Sequence, residues 1–181
     1  MNKRLITSLS PKECELIASG RQTMLVRKTR PKIETPFTVY VYMTKHKWIF
    51  KLLPFLKNRF AKVIGSFVCD RVRLCIPFGL KGHLLSQEVY REMCLTKEQL
   101  DKYGGLKTLY GWHITEPKLF DKPRELGEFR KPCNHINDCC TCKEAEFQYD
   151  GDELRGLICK REISLTRPPQ SWVYCEPIEE E

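Results

Sequence analysis

The chain has 181 residues, a formal net charge of +8 and 41% hydrophobic residues. That is enough for one packed domain with a small appendage, and too apolar for a disordered chain. No apolar run approaches the roughly 18–20 residues of a membrane span. The stretch Leu5–Leu9 behind Lys3 and Arg4 is shorter than the about 7–15 apolar residues of a secretory signal, so the expectation is a cytoplasmic protein. Charge is unevenly spread: residues 1–62 carry 14 Lys/Arg against 3 Asp/Glu, and residues 63–181 carry 17 against 20. A basic third within a folded domain favours a polyanionic partner, RNA or another nucleic acid before an anionic membrane surface.

In chain order, Arg4–Leu9 suits a strand. Ser10-Pro11-Lys12-Glu13 opens a helix, because Ser10 can cap the free N–H groups, Pro11 suits the first helical position and Glu13 completes a capping box. Gly20 stops it. Thr23–Arg27 reads as a strand, Arg27–Lys32 as a basic loop, and Thr38–Met43 as a strand by its alternation, with Val39, Val41 and Met43 on one face. His46–Phe60 is apolar and basic but interrupted by Pro54, which predicts a short capping segment or a basic amphipathic lip. Ala61–Ile76 is the longest predicted strand, with Ile64, Val68, Val72, Leu74 and Ile76 on one face and Gly65 as a place to bend. Helices are predicted over Ser86–Met93 and Thr96–Tyr103, the second with a Thr96/Gln99 capping box. Leu109–Thr115 is a strand, Pro117–Pro132 a loop with a short turn, and Gln170–Cys175 a closing strand before an acidic tail at 177–181. This order predicts one α+β domain over 1–176 with a curled, mostly antiparallel sheet. No phosphate-binding glycine loop is present.

Ten cysteines are many for a reducing compartment, where structural disulfides are not expected. Six are scattered in apolar patterns and read as small core residues. The insert 133–161 holds the rest: Cys133-x-His135-x3-Cys139-Cys140-x-Cys142. Cys139 and Cys142 have the spacing with which two thiolates grip one tetrahedral zinc, and Cys133 and Cys159 complete a four-thiolate set, with His135 or Cys140 as substitutes. The expected cofactor is a structural zinc; the alternative is a loop of free thiols.

Several segments together carry a family resemblance. Leu9-Ser10-Pro11-Lys12 through Ile17-Ala18-Ser19-Gly20-Arg21-Gln22-Thr23 and Val26-Arg27-Lys28 resembles the opening signature of ASCH domains, of the PUA-like superfamily. Lys62–Asp70, Leu109–Ile114 and Arg167-Pro168-Pro169-Gln170-Ser171-Trp172 strengthen it, and the set looks like ASCH proteins of phages and prophages of Gram-positive bacteria. The resemblance implies a PUA-like β-barrel with flanking helices and a cleft, lined by the segment after the first helix, that binds RNA. On it, Arg21, Gln22, Arg27, Lys28, Arg30, Lys32 and Lys45 are candidate nucleic-acid contacts, with Arg21, Arg27, Lys28, Arg30 and Lys32 on phosphate, since guanidinium groups fork onto phosphate oxygens and ammonium groups add point charge. Trp112, Trp172, Tyr40 and Tyr42 are candidate faces for an unstacked base, or core residues.

The resemblance also implies an enzymatic alternative. One ASCH branch is an amidohydrolase on modified cytidine that uses a lysine and a threonine of the basic signature. With Arg27 aligned to the family's arginine, Gln22 and Leu25 occupy those positions, and neither can do that work. Another branch is linked to ribonuclease activity, for which His113 and His46 are the candidate bases. The leading expectation is therefore a nucleic-acid-binding module without strong catalysis. A hydrolase on RNA or a modified nucleoside is the second reading, and a phage-encoded module for a host or phage protein partner, through His46–Phe60 or the cysteine insert, is the third.

Overall fold

The computed structural model describes residues 4–45, 58–76, 85–132, 145–150, 153–159 and 162–176. Among them are ten strands: β1 Arg4–Leu9, β2 Met24–Arg27, β3 Phe37–Met43, β4 Val63–Ile76, β5 Leu109–Arg124, β6 Arg130–Pro132, β7 Ala145–Asp150, β8 Glu153–Cys159, β9 Glu162–Ser164 and β10 Trp172–Cys175. Three α-helices interleave with them: α1 Pro11–Ala18, α2 Gln87–Met93 and α3 Lys97–Gly104. The expected α+β class and mostly antiparallel sheet are observed. Six strands form one sheet in the order β10-β1-β3-β4-β5-β2, in which β1 and β3 alone run parallel. The pairs β6–β9 and β7–β8 form two further two-stranded sheets, the first beside β10, where the Glu176 N–H donates to Arg130 O, and the second within the cysteine-bearing insert.

Both predicted capping boxes form. Ser10 accepts from the Glu13 N–H while Glu13 Oε2 takes the Ser10 N–H at 2.8 Å; Thr96 and Gln99 repeat the exchange. These contacts satisfy otherwise orphaned helix N–H groups. They explain why such short helices start where the sequence says they start.

The sheet is rolled, and the roll is held by side chains. Six flat strands would hold their two edges roughly 24 Å apart. Instead Trp172 on edge strand β10 donates its Nε1–H to Thr29 Oγ1, two residues past edge strand β2, at 2.9 Å. The Lys32 N–H donates to the Tyr174 hydroxyl at 2.7 Å. Arg27 at the end of β2 reaches β1, where Nη2 donates to Thr7 Oγ1 at 2.8 Å and to Ser8 O at 3.3 Å; Thr7 in turn donates to Ser171 O at 2.9 Å. Ser8 Oγ donates to Pro169 O. The segment Arg167–Trp172 thus serves as one lip of the barrel seam.

Inside lie Leu5, Leu9, Leu25, Val39, Phe67 and Trp112, plugged at one end by Cys14 and Ile17 of α1. Outside β2 and β5, helices α2 and α3 cover Met24, Val26 and Leu109 with Met93 and Leu100. Outside β1 and β3, Leu126, Phe129 and Leu165 cover Ile6, Tyr40 and Tyr42. Tyr40 and Tyr42 are therefore core residues. The alternation of Thr38–Met43 separates two buried faces, not a buried face from a wet one.

Two expectations are corrected. The single apolar face on Ala61–Ile76 is broken: Ile64 and Val72 belong to the barrel interior, Ile76 to the helix-covered cluster, and Leu74 is 55% exposed. The β4–β5 ladder shifts register four times, and each bulge resets which side chains face inward. The loop expected from Pro117 is instead the second half of β5, reached through Glu116 at φ 50°.

Gly65 sits against the β5 backbone at Lys118 and Leu119. A Cβ there would lie 2.3 Å from the Lys118 carbonyl oxygen, a backbone atom that cannot swing away. Gly65→Ala is expected to cost about 3 kcal/mol, the upper end of overpacking penalties, in the urea midpoint. Gly111→Ala, whose Cβ would meet the flexible Met24 Sδ and the Cys75 Sγ, is expected to cost less.

Candidate nucleic-acid interface

A cavity of about 270 Å³ opens between α1, β2 and the α2–α3 pair, bounded by Lys12, Glu13, Gln22, Arg27, Cys94 and Tyr103 among others. It is the cleft expected after the first helix. Gln22 is buried and spends its Nε2–H on Met24 O at 3.1 Å. Leu25 is buried in the barrel. Arg27 is 6% exposed, and its Nη1 donates to Val26 O. Burial pushes the Arg27 guanidinium below its usual pKa, against the opposing influence of Tyr103 and Glu13. Arg27 therefore forms the cavity wall and the seam at once. It is not the exposed phosphate contact that the basic signature suggested: the guanidinium lies under the surface with Nη1 and Nη2 tied into three acceptors, while its Nε–H has no partner among the described residues.

The other cations divide into two groups. Arg21 is exposed but paired with Glu15 at 2.9 Å, on α1. Lys28 holds its ammonium 4.7 Å from the Tyr103 ring centroid, at the cavity rim. Arg30 and Lys32 are exposed on the β2–β3 loop, which the Trp172–Thr29 and Lys32–Tyr174 hydrogen bonds fasten to the seam. Lys28, Arg30 and Lys32 make no ion pair among the described residues. Lys45 is exposed just past the end of β3.

Of the two readings of the tryptophans, core packing is the one observed for Trp112. Trp112 is fully buried, edge-on to Phe37 with centroids 5.8 Å apart, and offers no face to a base. Trp172 is half-buried between Trp112 and Tyr174, at 5.7 and 5.3 Å, with its N–H committed to the seam. Tyr103, 38% exposed at the cavity mouth, is the aromatic that the sequence reading missed as a site residue. The signal was available in part, since Tyr103 ends a capped helix, but only the packing of α3 beside β2 brings it to Lys28.

His113 lies on the outer sheet surface with Nδ1 2.6 Å from Asp70 Oδ1, and does not line the cavity. His46 lies outside the described residues, as do Cys133, His135, Cys139, Cys140, Cys142 and residues 46–57 of the apolar segment. Cys159 ends β8, its backbone opposite Ala145. No group of three or more metal-ligating side chains occurs among the described residues.

Burial pushes the Cys14, Cys69 and Cys175 thiols up to about 12. These thiols stay neutral, which stabilises the fold fully below about pH 9 and progressively less as pH rises toward 12. Iodoacetamide mapping at pH 8 is expected to label the half-exposed Cys94 and to spare these three until urea is added.

The rolled six-stranded sheet, with α1 at one end and a helix pair on one face, is a fold shared with solved ASCH structures. Solved structures that match it include the ASCH protein of Zymomonas mobilis and two single-substitution variants of it. The unsubstituted protein gives a TM-score of 0.52 at 19% identity over 70% of this chain and 76% of that one. The variants give 0.52 at 19% and 0.51 at 18%, over 69% and 68% of this chain and 75% and 76% of theirs. At this identity the likeness is one of fold. No protein-family model matches the chain, and no curated protein matches its sequence. No helix among the described residues is long and apolar enough to cross a membrane.

Proposed function

We propose that this chain binds RNA along the ridge formed by Lys28, Arg30 and Lys32, with the adjoining cavity receiving an unpaired residue against Tyr103. One observation carries the reading. Three cations without acidic partners among the described residues are held on a loop fastened to the barrel seam, beside a cavity of near-ligand size. Unneutralised, pre-positioned charge suits phosphate because little ordering entropy is left to lose on binding. The reading is a binding module, not a strong catalyst: Gln22 and Leu25 stand where an amidohydrolase would need a lysine and a threonine, and neither moves a proton.

The test is fluorescence anisotropy with labelled single-stranded RNA, hairpin RNA and DNA across a salt titration. Steeply salt-dependent binding to single-stranded RNA without breakdown is the expected result. Flat salt dependence overturns the reading, and RNA breakdown moves it to the hydrolase class.

The insert is proposed to hold a structural zinc on Cys133, Cys139, Cys142 and Cys159. The β7–β8 register supports that donor set, since Cys159 lies opposite Ala145, three residues beyond Cys142. Such a metal would organise a loop with little core of its own. Metal analysis of the purified chain is expected to give about one zinc per chain, with chelation lowering stability; metal-free protein of unchanged stability would exclude it.

A further inference from the structure

The cavity beside the ridge holds one buried polar group that the fold leaves unused. Gln22 is 4% exposed and lines this space. The Ile114 N–H donates to Thr23 O, so the β2–β5 ladder runs on past Met24. Gln22 therefore falls on the same side as Met24 and Val26, the side that faces Met93, and Met93 lines the cavity too. The Gln22 Nε2–H donates to Met24 O at 3.1 Å, which fixes the amide with Oε1 at its other end. Oε1 makes no hydrogen bond among the described residues. It is also not sealed in protein: the sealed, unpartnered side-chain atoms of the described residues are Arg27 Nε and Trp112 Nε1. An oxygen that is neither bonded nor sealed, on a side chain this deeply buried, opens onto the cavity it lines.

The chemistry of that oxygen narrows the ligand. An amide oxygen only accepts, so the group that reaches it must bring an N–H or O–H, and a carbonyl in its place would set two acceptors face to face. The other polar groups of the lining compete little. Arg27 has Nη1 and Nη2 spent and Nε sealed. Glu13 Oε2 takes the Ser10 N–H and hydroxyl, and Lys12 and Gln99 are exposed. Leu16, Leu25, Val26 and Met93 supply apolar wall for the face of a ring. Size decides the rest. An apolar cavity of about 150 Å³ accepts one benzene ring, so one of about 270 Å³ accommodates a fused pair of rings. Among the bases, adenine joins two rings to an amine at the 6-position, whereas guanine and uracil carry a carbonyl on that edge and cytosine has the amine on a single ring.

We infer that Gln22 is the specificity-determining residue of this cavity and that the unpaired base it selects is adenine, whose N6–H donates to Gln22 Oε1. The inference rests on the RNA reading of the ridge and adds to it a division of labour. Lys28, Arg30 and Lys32 hold phosphate and are indifferent to sequence, and Gln22 supplies the choice of base.

Fluorescence anisotropy of the full chain tests it, with a short labelled uridine strand that carries one central adenosine, purine riboside, inosine or cytidine. Purine riboside lacks the amine, and inosine has a carbonyl in its place. The adenosine strand is expected to bind about fivefold tighter than the purine riboside strand, the worth of one neutral hydrogen bond. It is expected to bind about thirtyfold tighter than the inosine strand, where two acceptors oppose each other. The cytidine strand is expected to bind more weakly than the adenosine strand. Gln22→Met keeps the side-chain length and removes Oε1. It is expected to bring the adenosine and purine riboside strands within about twofold of each other and to leave the salt slope unchanged, with urea unfolding to show that the variant is folded. The analogue series on the unaltered chain decides the matter without the variant. Equal binding of all four strands with a steep salt dependence overturns selection by Gln22 and leaves the ridge standing. Inosine or cytidine bound as tightly as adenosine overturns the assignment of adenine. No salt-dependent binding of any strand overturns the ridge reading and this inference with it.

Discussion

Arg27→Ala is expected to lower stability by about 3–5 kcal/mol. The substitution removes three hydrogen bonds from a buried position and leaves a void. The Thr7 hydroxyl, the Ser8 carbonyl and the Val26 carbonyl each lose their guanidinium donor. A buried acceptor left unsatisfied costs about 1–3 kcal/mol, and the vacated volume adds to that. Arg27→Lys is expected to recover little, because a single ammonium on a shorter reach cannot serve acceptors on both β1 and β2. Urea unfolding of both variants checks this. Loss of RNA binding with an unchanged urea midpoint would show instead that Arg27 is a ligand contact and not the clasp of the seam.

The second large effect is on binding. Replacing Lys28, Arg30 and Lys32 together by alanine is expected to leave the fold nearly intact, since among the described residues these side chains make no ion pair and only Lys28 has a ring contact, worth about 0.5–1 kcal/mol. Affinity for single-stranded RNA is expected to fall about a hundredfold at 0.1 M salt, and the slope of log K against log salt to flatten by about 2. The same triple substitution with an unchanged slope would place the RNA contacts on another face. The two experiments separate cleanly: the Arg27 variants move the unfolding midpoint, and the triple variant moves the salt slope.

The contrast between these residues also shows what local chemistry leaves open. Arg27, Lys28, Arg30 and Lys32 follow one another in a single basic run, and nothing in the run distinguishes them. Strand parity alone would place Arg27 like any alternate β2 residue. Its burial follows from the roll of the sheet, which brings β1 within reach of β2 across a gap that a flat sheet would hold open. Trp112 and Trp172 show the same effect. Both sit on predicted strands, but Trp112 is inside the barrel and Trp172 is the peg in its seam, a distinction that depends on which edges meet.

Local signals were decisive where a few neighbouring residues settle the energetics. The helix starts at Ser10 and Thr96 depend on a hydroxyl and an acid or amide three residues on, and both boxes form as read. The alternation in Thr38–Met43 marked a strand, and the α+β class followed from the order of elements. The same alternation did not reveal that both faces of that strand are covered, because the cover arrives from Leu126, Phe129 and Leu165, far away in sequence. The four register shifts of β4 and β5 were equally hidden. A bulge is a compromise between two strands about curvature, and neither strand encodes it alone.

By itself, then, the sequence determined the class of fold, the helix caps, the basic character of the β2–β3 loop and the cysteine spacing of the insert. Each of these rests on residues within a few positions of one another. Only the tertiary structure decided that Arg27 closes the barrel and that Tyr103 and Lys28 share the cavity mouth. Those outcomes depend on the closure of a sheet whose contacting edges, β2 and β10, are nearly 150 residues apart along the chain.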